Sequence, residues 1–202
     1  MSDLVSVLWL SVCPSCLVNA CPWLYCLISE VFISFVSCLS WSEPDGRFLM
    51  CAFRFRNQVF RVCCVYAPTS NPQRNQFLDD VSVSIDPSVP TVLDGDFNTV
   101  FHRSLDRRGS DPFDLSRESS CALNRLINAC SSIDIWRYLH PMSSSYTWTR
   151  SNGSLSSRID FILVPHVWVP SVSSCDIVAC PFSDHALLLC LFVFLKFLLM
   201  IP

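Results

Sequence analysis

Two short polar motifs in otherwise apolar sequence carry the residue types that phosphodiester hydrolysis requires. Asp96 and Asn98 stand two positions apart in Gly95-Asp96-Phe97-Asn98, so on an extended segment their side chains point to one side. A carboxylate placed there can hold a nucleophilic water, while the carboxamide can orient a phosphate oxygen. Asp184 and His185 add an oxygen ligand for a hard cation and an imidazole that can stabilise developing negative charge.

A third polar motif, Ser157-Arg158-Ile159-Asp160-Phe161, places a carboxylate at the start of an apolar run. Each of the three motifs also has an ordinary structural explanation when it is taken alone. Asp-Phe-Asn and Ser-Asp-His are common in turns and loops, and Asp160 can be a buried, hydrogen-bonded acid. The functional interpretation therefore depends on the order of the motifs and on the elements that position them.

Most of those elements are predicted to be strands. Alternating side chains over 47–55 and 58–66 predict a β-hairpin, and the apolar run 90–93 predicts a buried strand that leads into Gly95-Asp96-Phe97-Asn98. Two further strand pairs are predicted over 146–149 with 158–164 and over 175–179 with 186–190.

Two helices accompany the strands. Asn71 followed by Pro72 predicts an N-cap and a helix over about 72–83, and apolar residues at helical spacing up to Cys130 predict a second helix with Ser116 as its cap. Because the strands outnumber the helices and pair locally, the expected class is α+β, or a layered α/β sandwich with largely antiparallel sheets.

The composition excludes several classes of protein. Hydrophobic residues make up 51% of the chain and charged residues 15%, so the bulk of the chain is not disordered. The formal net charge of −3 gives no basic footprint for nucleic acid. The 13 cysteines lack zinc-site spacing, which favours reduced, buried thiols and a nuclear or cytoplasmic location.

The distribution of charge divides the chain. Residues 1–40 contain no Lys or Arg and five cysteines, so we predict an unrelated apolar segment over 1–40, a central domain over 41–190 and an apolar tail over 191–202. No clean element is predicted in the first segment. Its apolar run and the one near the C-terminus each cover sixteen positions, fewer than the roughly 20 that a membrane helix needs.

Five motifs in a fixed order give the chain a family resemblance. Together they resemble the endonuclease/exonuclease/phosphatase superfamily, and most closely the endonuclease domain of LINE-type non-LTR retrotransposons. The resemblance implies a DNase I-like four-layer α/β sandwich, phosphodiester hydrolysis with Mg²⁺, and DNA as the partner. In chain order the motifs are Val65-Tyr66-Ala67-Pro68, Gly95-Asp96-Phe97-Asn98, Tyr146-Thr147-Trp148, Ser157-Arg158-Ile159-Asp160-Phe161 and Ser183-Asp184-His185.

The same resemblance implies catalytic roles for five residues. Asp96 would activate or position the attacking water, and Asn98 would bind the phosphate. His185 would stabilise the pentacovalent phosphate, with Asp160 orienting its ring. Tyr66 matches the family tyrosine that contacts the phosphate or the leaving group.

Binding roles are implied for three more residues. Asp184 would help to hold the metal, Thr147 matches a polar position near the DNA, and Ser183 is expected to bind substrate. For Tyr66 and Thr147, a structural role in core packing or sheet pairing remains an equal alternative.

Two family motifs are missing from the sequence. The family domain has an asparagine on its first strand and then a Gln-Glu pair whose glutamate is the main metal ligand, and neither motif occurs here. Asn19 and Glu30 are the only candidates by residue type in segment 1–40, and both stay unassigned because their flanking residues do not match. The expected protein is an N-terminally truncated copy with an incomplete metal site, impaired activity and poor solubility.

Two alternatives to the endonuclease remain open. The chain could be a catalytically inactive membrane-associated or interaction protein, or a phosphoesterase of the same fold that acts on lipid or inositol phosphates. No stable protein partner is inferred. The arginine group Arg103, Arg107 and Arg108 could contact DNA phosphates or form a solvated loop face.

Overall fold

The computed structural model describes residues 4–11, 25–29, 33–39, 46–55, 58–109, 116–181 and 183–195. These residues form thirteen strands, four α-helices and a 3-10 helix over His166–Ser171. The strands are β1 (Leu4–Ser11), β2 (Tyr25–Ser29), β3 (Ile33–Leu39), β4 (Phe48–Phe55), β5 (Gln58–Tyr66), β6 (Thr91–Asp96), β7 (Arg107–Arg108), β8 (Ser132–Asp134), β9 (Trp148–Thr149), β10 (Ser156–Ser157), β11 (Asp160–Pro165), β12 (Val172–Val178) and β13 (Leu187–Leu195). The helices are α1 (Asn71–Ser84), α2 (Arg103–Asp106), α3 (Ser116–Ala129) and α4 (Ile135–Leu139).

The largest sheet has six strands in the order β3-β4-β5-β6-β11-β8. All its neighbouring strands run antiparallel except β5 and β6, which are parallel and are connected through α1. A crossover helix is the usual connection between parallel strands, so α1 is placed on one face of the sheet. The predicted hairpin over 47–55 and 58–66 is confirmed as β4 and β5.

Alternation along the strands sorts side chains into two cores, one on each face of this sheet. On β5, Val62 lies in one core and Cys63 in the other. Phe161 and Leu163 of β11 pack in the core that α1 and α3 cover. The other core contains residues of β12 and β13, so a second sheet covers the opposite face.

The second sheet has the strand order β12-β13-β1-β2 and is antiparallel throughout. The expectation of no clean element in residues 1–40 is wrong, because three strands form there. Strand β1 pairs with β13, and β3 pairs with β4. An unpaired strand edge provides backbone hydrogen-bond partners for a further strand, and local sequence patterns do not reveal this pairing. The domain boundary near residue 41 stays a prediction, and Asn19 and Glu30 lie outside the described residues.

Other predictions need smaller corrections. Ser70, not Asn71, is the N-cap of α1, and Asn71 is the first helical residue. Strand β9 pairs with β10 in a small sheet of order β7-β10-β9, while β11 joins the six-stranded sheet. Free thiols within the described part of the chain include Cys63, Cys130, Cys175 and Cys190, which are buried. No described helix has the length and apolar character that crossing a bilayer requires.

Candidate functional site

The candidate site forms where strand ends of both large sheets meet. Asp96 is the last residue of β6, and Asp160 is the first residue of the neighbouring antiparallel strand β11. The two aspartates are direct cross-strand partners, so their side chains lie on the same face of the sheet. His185 precedes β13 by two positions, which brings it from the second sheet to the same place.

Asp160 and His185 form a close pair. The Nδ1 atom of His185 lies 2.9 Å from Oδ2 of Asp160, and both side chains are almost fully buried. An ionised carboxylate only accepts hydrogen bonds, so Nδ1 is the donor of this pair when Asp160 is ionised. This contact restricts the orientation of the ring, and the catalytic role that the resemblance implies for Asp160 stays a prediction.

Asp96 completes a cluster with these two residues, which we call the carboxylate–histidine cluster (Asp96, Asp160 and His185). Potential ligand atoms of the three side chains lie within 4.8 Å of one another, so the cluster could hold a metal ion. Burial, followed by the negative charge of Asp160, raises the pKa of Asp96 from an ordinary value of 3.8 to about 8. Two carboxyl groups are thus held close together in a buried place, where a bound cation would favour the ionised form of Asp96.

Asn98 is attached to Asp96 by a tight turn. Its backbone N–H donates to Oδ1 of Asp96 at 2.8 Å, and its side-chain amide donates to Oδ2 at 3.1 Å and to the carbonyl of Ala67 at 2.8 Å. The backbone of Asn98 has a φ of 49°, a left-handed conformation that asparagine tolerates better than most residues. These contacts hold both oxygens of the Asp96 carboxylate.

The residue before Asp96 must be glycine. Gly95 has a φ of 129°, and a Cβ atom built there would lie 2.0 Å from the backbone oxygen of Val65 on β5. Side chains other than hydrogen would force β5 and β6 apart. The glycine in the motif thus allows the strand that carries Asp96 to pack closely against β5.

Tyr66 lies beside Asp96 because the two residues are parallel partners at the ends of β5 and β6. Its side chain is half-buried, and the guanidinium of Arg47 stands 5.2 Å from the centre of its ring. A cation over an aromatic face is attractive and fixes the position of both groups. Tyr66 therefore lies next to Asp96 in the sheet, and the catalytic role predicted for it stays a prediction.

Thr147 is buried, and its hydroxyl accepts hydrogen bonds from the backbone N–H groups of Ile159 and Asp160 at 3.0 and 3.1 Å. The backbone carbonyl of Thr147 accepts a further bond from the N–H of Ala186 at 2.6 Å. Thr147 thus connects the segment that carries Asp160 to the segment that carries His185. The binding role predicted for it stays a prediction.

Asp184 and Ser183 share a short segment with His185, but their side chains make separate contacts. Asp184 is exposed, and its Oδ2 accepts a hydrogen bond of 2.9 Å from the indole nitrogen of Trp148. The Ser183 hydroxyl accepts a 3.0 Å bond from the backbone N–H of His185. The metal role of Asp184 and the substrate role of Ser183 stay predictions.

Sequence reasoning missed a second set of buried charges, which we call the ion-pair network (Asp106, Asp134, Arg137 and Arg158). Arg158 is completely buried and donates to Asp106 at 2.8 Å and to Asp134 at 2.6 Å. Arg137 donates to Asp106 at 2.5 Å. The sequence signal was Arg158 itself, a charged residue that directly precedes an apolar run and stands two residues before Asp160.

The arginine group of the sequence analysis lies near the small sheet. Arg107 and Arg108 form β7, which pairs with Ser157 and Ser156. Arg108 is exposed and its guanidinium stands 5.6 Å from the centre of the Tyr146 ring. Its contact with DNA stays a prediction.

Comparison with known proteins agrees with this geometry. The sequence profile of the Endonuclease/Exonuclease/phosphatase family matches residues 13–185. The Transposon TX1 uncharacterized 149 kDa protein of Xenopus laevis is 32% identical over 149 residues, which cover 71% of this chain. This chain spans only 11% of the length of that relative.

Solved structures support the fold. An AP endonuclease from Leishmania major superposes with a TM-score of 0.59 at 18% identity, over 73% of this chain and 54% of the other. A 3′ phosphatase from Neisseria, bound to a product DNA hairpin, gives a TM-score of 0.56 at 21% identity, over 79% of this chain and 70% of the other. The expected DNase I-like fold is confirmed, and the described residues form three of its layers. The chain belongs to the Endonuclease/Exonuclease/phosphatase family.

Proposed function

We propose that this chain hydrolyses phosphodiester bonds of DNA with Mg²⁺, as an endonuclease of retrotransposon origin. The observation that carries the proposal is the cross-strand pair of Asp96 and Asp160 with His185 held 2.9 Å from Asp160. Membership of the family and similarity to a transposon protein point in the same direction. The DNA bound to the Neisseria phosphatase supports DNA as the substrate class.

In this proposal Asp96 accepts a proton from the attacking water. Its pKa near 8 suits a general base, because a catalytic base works best when its pKa is close to the working pH. Asn98 keeps the carboxylate oriented through both of its oxygens. Residues on the ends of rigid strands provide the fixed geometry that hydrolysis requires.

In this proposal His185 interacts with the phosphate group and not with the attacking water. Its bond to Asp160 favours the protonated imidazolium, which can stabilise the negative charge that develops on the phosphate oxygens. Tyr66 lies next to Asp96 in the sheet and can donate to the phosphate or to the leaving group.

The carboxylate side chains of the site fit Mg²⁺, because carboxylate oxygens are the protein ligands that this cation prefers. Asp184 would hold the ion, as the exposed carboxylate next to His185. When bound, the cation would supply positive charge for the phosphate oxygens. Since no Gln-Glu pair occurs in the sequence, we expect weaker Mg²⁺ binding and lower activity than a full ligand set would give.

The test is nicking of supercoiled plasmid by the purified full-length chain with Mg²⁺, compared with the same reaction in EDTA. We expect Mg²⁺-dependent nicking that the double variant Asp96→Ala/His185→Ala abolishes. A matched control is Asp176→Ala/His166→Ala, which removes an exposed aspartate and an exposed histidine outside the site. A cooperatively melting sample that does not nick DNA would contradict the proposal, as would equal activity in both double variants.

A further inference from the structure

Trp148 is a half-buried residue outside the carboxylate–histidine cluster, and the proposed mechanism assigns it no role. We infer that Trp148 is a positioning residue that holds the Asp184 carboxylate ready to bind a divalent cation. This inference rests on the proposed function, because it takes Asp184 as a metal ligand.

The first observation is the side-chain contact. The indole nitrogen of Trp148 donates to Oδ2 of Asp184 across 2.9 Å. A hydrogen bond to an ionised carboxylate is stronger than one between neutral groups, so it restricts the rotation of an otherwise exposed side chain. Indole nitrogen only donates, so the contact keeps its direction whatever the pH.

The second observation is that the backbone of Trp148 is fixed from two sides. It pairs with Ser157 in the small sheet, and it forms an antiparallel bridge with His185. Next to it, the carbonyl of Thr147 accepts from the N–H of Ala186, the residue after His185. Trp148 is therefore held against both the Ser157–Asp160 segment and the Asp184–His185 segment.

Core packing alone does not explain these contacts of the Trp148 indole. The ring is not fully buried, and its polar atom points at the one exposed carboxylate beside His185. Groups that hydrogen-bond to metal ligands orient them, and loss of such a group typically lowers metal affinity by about 10-fold to 100-fold. We expect an effect of that size for Trp148.

The experiment measures Mn²⁺ binding to the full-length chain by electron paramagnetic resonance, in which free Mn²⁺ gives the signal and bound Mn²⁺ does not. Trp148→Phe keeps an aromatic ring and removes the N–H donor, and we expect Mn²⁺ affinity to fall by roughly 10-fold or more. Trp168→Phe makes the same chemical change at a residue that packs against Phe60, and it should bind Mn²⁺ like the parent chain. If Trp148→Phe does not melt cooperatively, Trp148→Leu replaces it, because it also removes the N–H donor and puts no other donor in its place.

Asp184→Asn separates the inference from the proposed function. Weakened binding in Asp184→Asn and in Trp148→Phe supports the inference, and the nicking rate of Trp148→Phe should then recover at high Mg²⁺. Weakened binding in Asp184→Asn alone would overturn the role of Trp148 and leave the proposed function intact. Unchanged binding in Asp184→Asn would overturn both the inference and the assignment of Asp184 as a metal ligand.

Discussion

Two buried clusters of ionisable residues lie close together in the chain, and they differ in the charges that surround their carboxylates. The carboxylate–histidine cluster sets Asp96 and Asp160 side by side with one imidazole. The ion-pair network also contains two aspartates, but it places two arginines against them. Arg158 of the network and Asp160 of the cluster are two residues apart.

The pKa of the aspartates shows the difference. Burial and the charge of Asp160 raise the pKa of Asp96 to about 8. Burial also acts to raise the pKa of Asp106, but the charge of Arg158 and hydrogen bonds from Arg158, His102 and Arg137 outweigh it and lower that pKa. Burial alone therefore does not decide protonation; the neighbouring charges do. The network pairs its carboxylates with arginines and holds the fold, whereas the cluster contains a carboxyl group whose pKa lies close to the pH at which a general base works.

The largest effect on stability is expected from removing one arginine of the ion-pair network. Arg158→Met leaves Asp106 and Asp134 buried with fewer positive partners, which should lower the free energy of unfolding by about 3–5 kcal/mol. Urea unfolding followed by circular dichroism measures it. The matched control is Arg125→Met, which removes an arginine from an exposed pair with Asp79 and should hardly move the midpoint. Equal midpoints for the two variants would show that the network does not hold the fold.

Breaking the cluster should instead remove activity and spare stability. Asp160→Asn keeps the shape of the side chain but removes the charge that favours protonated His185, so plasmid nicking should slow by roughly 100-fold or more. Its counterpart in the network is Asp134→Asn, which should lower stability because Arg158 loses a charged partner. Nicking that is as fast in Asp160→Asn as in the parent chain would remove Asp160 from the proposed mechanism.

The pH dependence of stability tests the raised pKa of Asp96, in which the carboxylate–histidine cluster differs from the ion-pair network. Its pKa is 3.8 without the fold and about 8 within it, so between about pH 4 and pH 8 the folded state binds more protons than the unfolded state. Stability should therefore fall as the pH rises through that window. Asp96→Asn removes this slope and should stabilise the chain at pH 8 by about 1–3 kcal/mol while abolishing nicking.

Thermal melts of the parent chain and Asp96→Asn at pH 5 and pH 8 measure this linkage. The two proteins should differ more at pH 8 than at pH 5. A difference of the same size at both pH values would mean that the Asp96 carboxylate is not destabilised by burial and by Asp160.

Local pattern was enough for much of the fold and of the site. Alternation along 58–66 predicted the bounds of β5, and the family resemblance implied a site that contains Asp96, Asp160 and His185. It failed where partners are remote: Arg158 meets Asp106 from 52 residues away, and Trp148 meets Asp184 from 36 residues away. It also paired β9 with the wrong strand, because alternation shows that a strand forms but not which edge receives it.

Substitution of Thr147 is expected to have the smallest effect on stability. This residue contacts the segment between the ion-pair network and the carboxylate–histidine cluster. Its hydroxyl accepts from the N–H groups of Ile159 and Asp160, which directly follow Arg158 of the network and lead into the cluster. Thr147→Val keeps the shape but leaves one buried and one partly buried N–H donor without that acceptor, which should cost about 1–2 kcal/mol of unfolding free energy. Thr147→Ser keeps the hydroxyl and should cost less, as urea unfolding can measure. If Thr147 instead serves only to contact DNA, both variants will unfold like the parent chain and differ from it only in the KM for DNA.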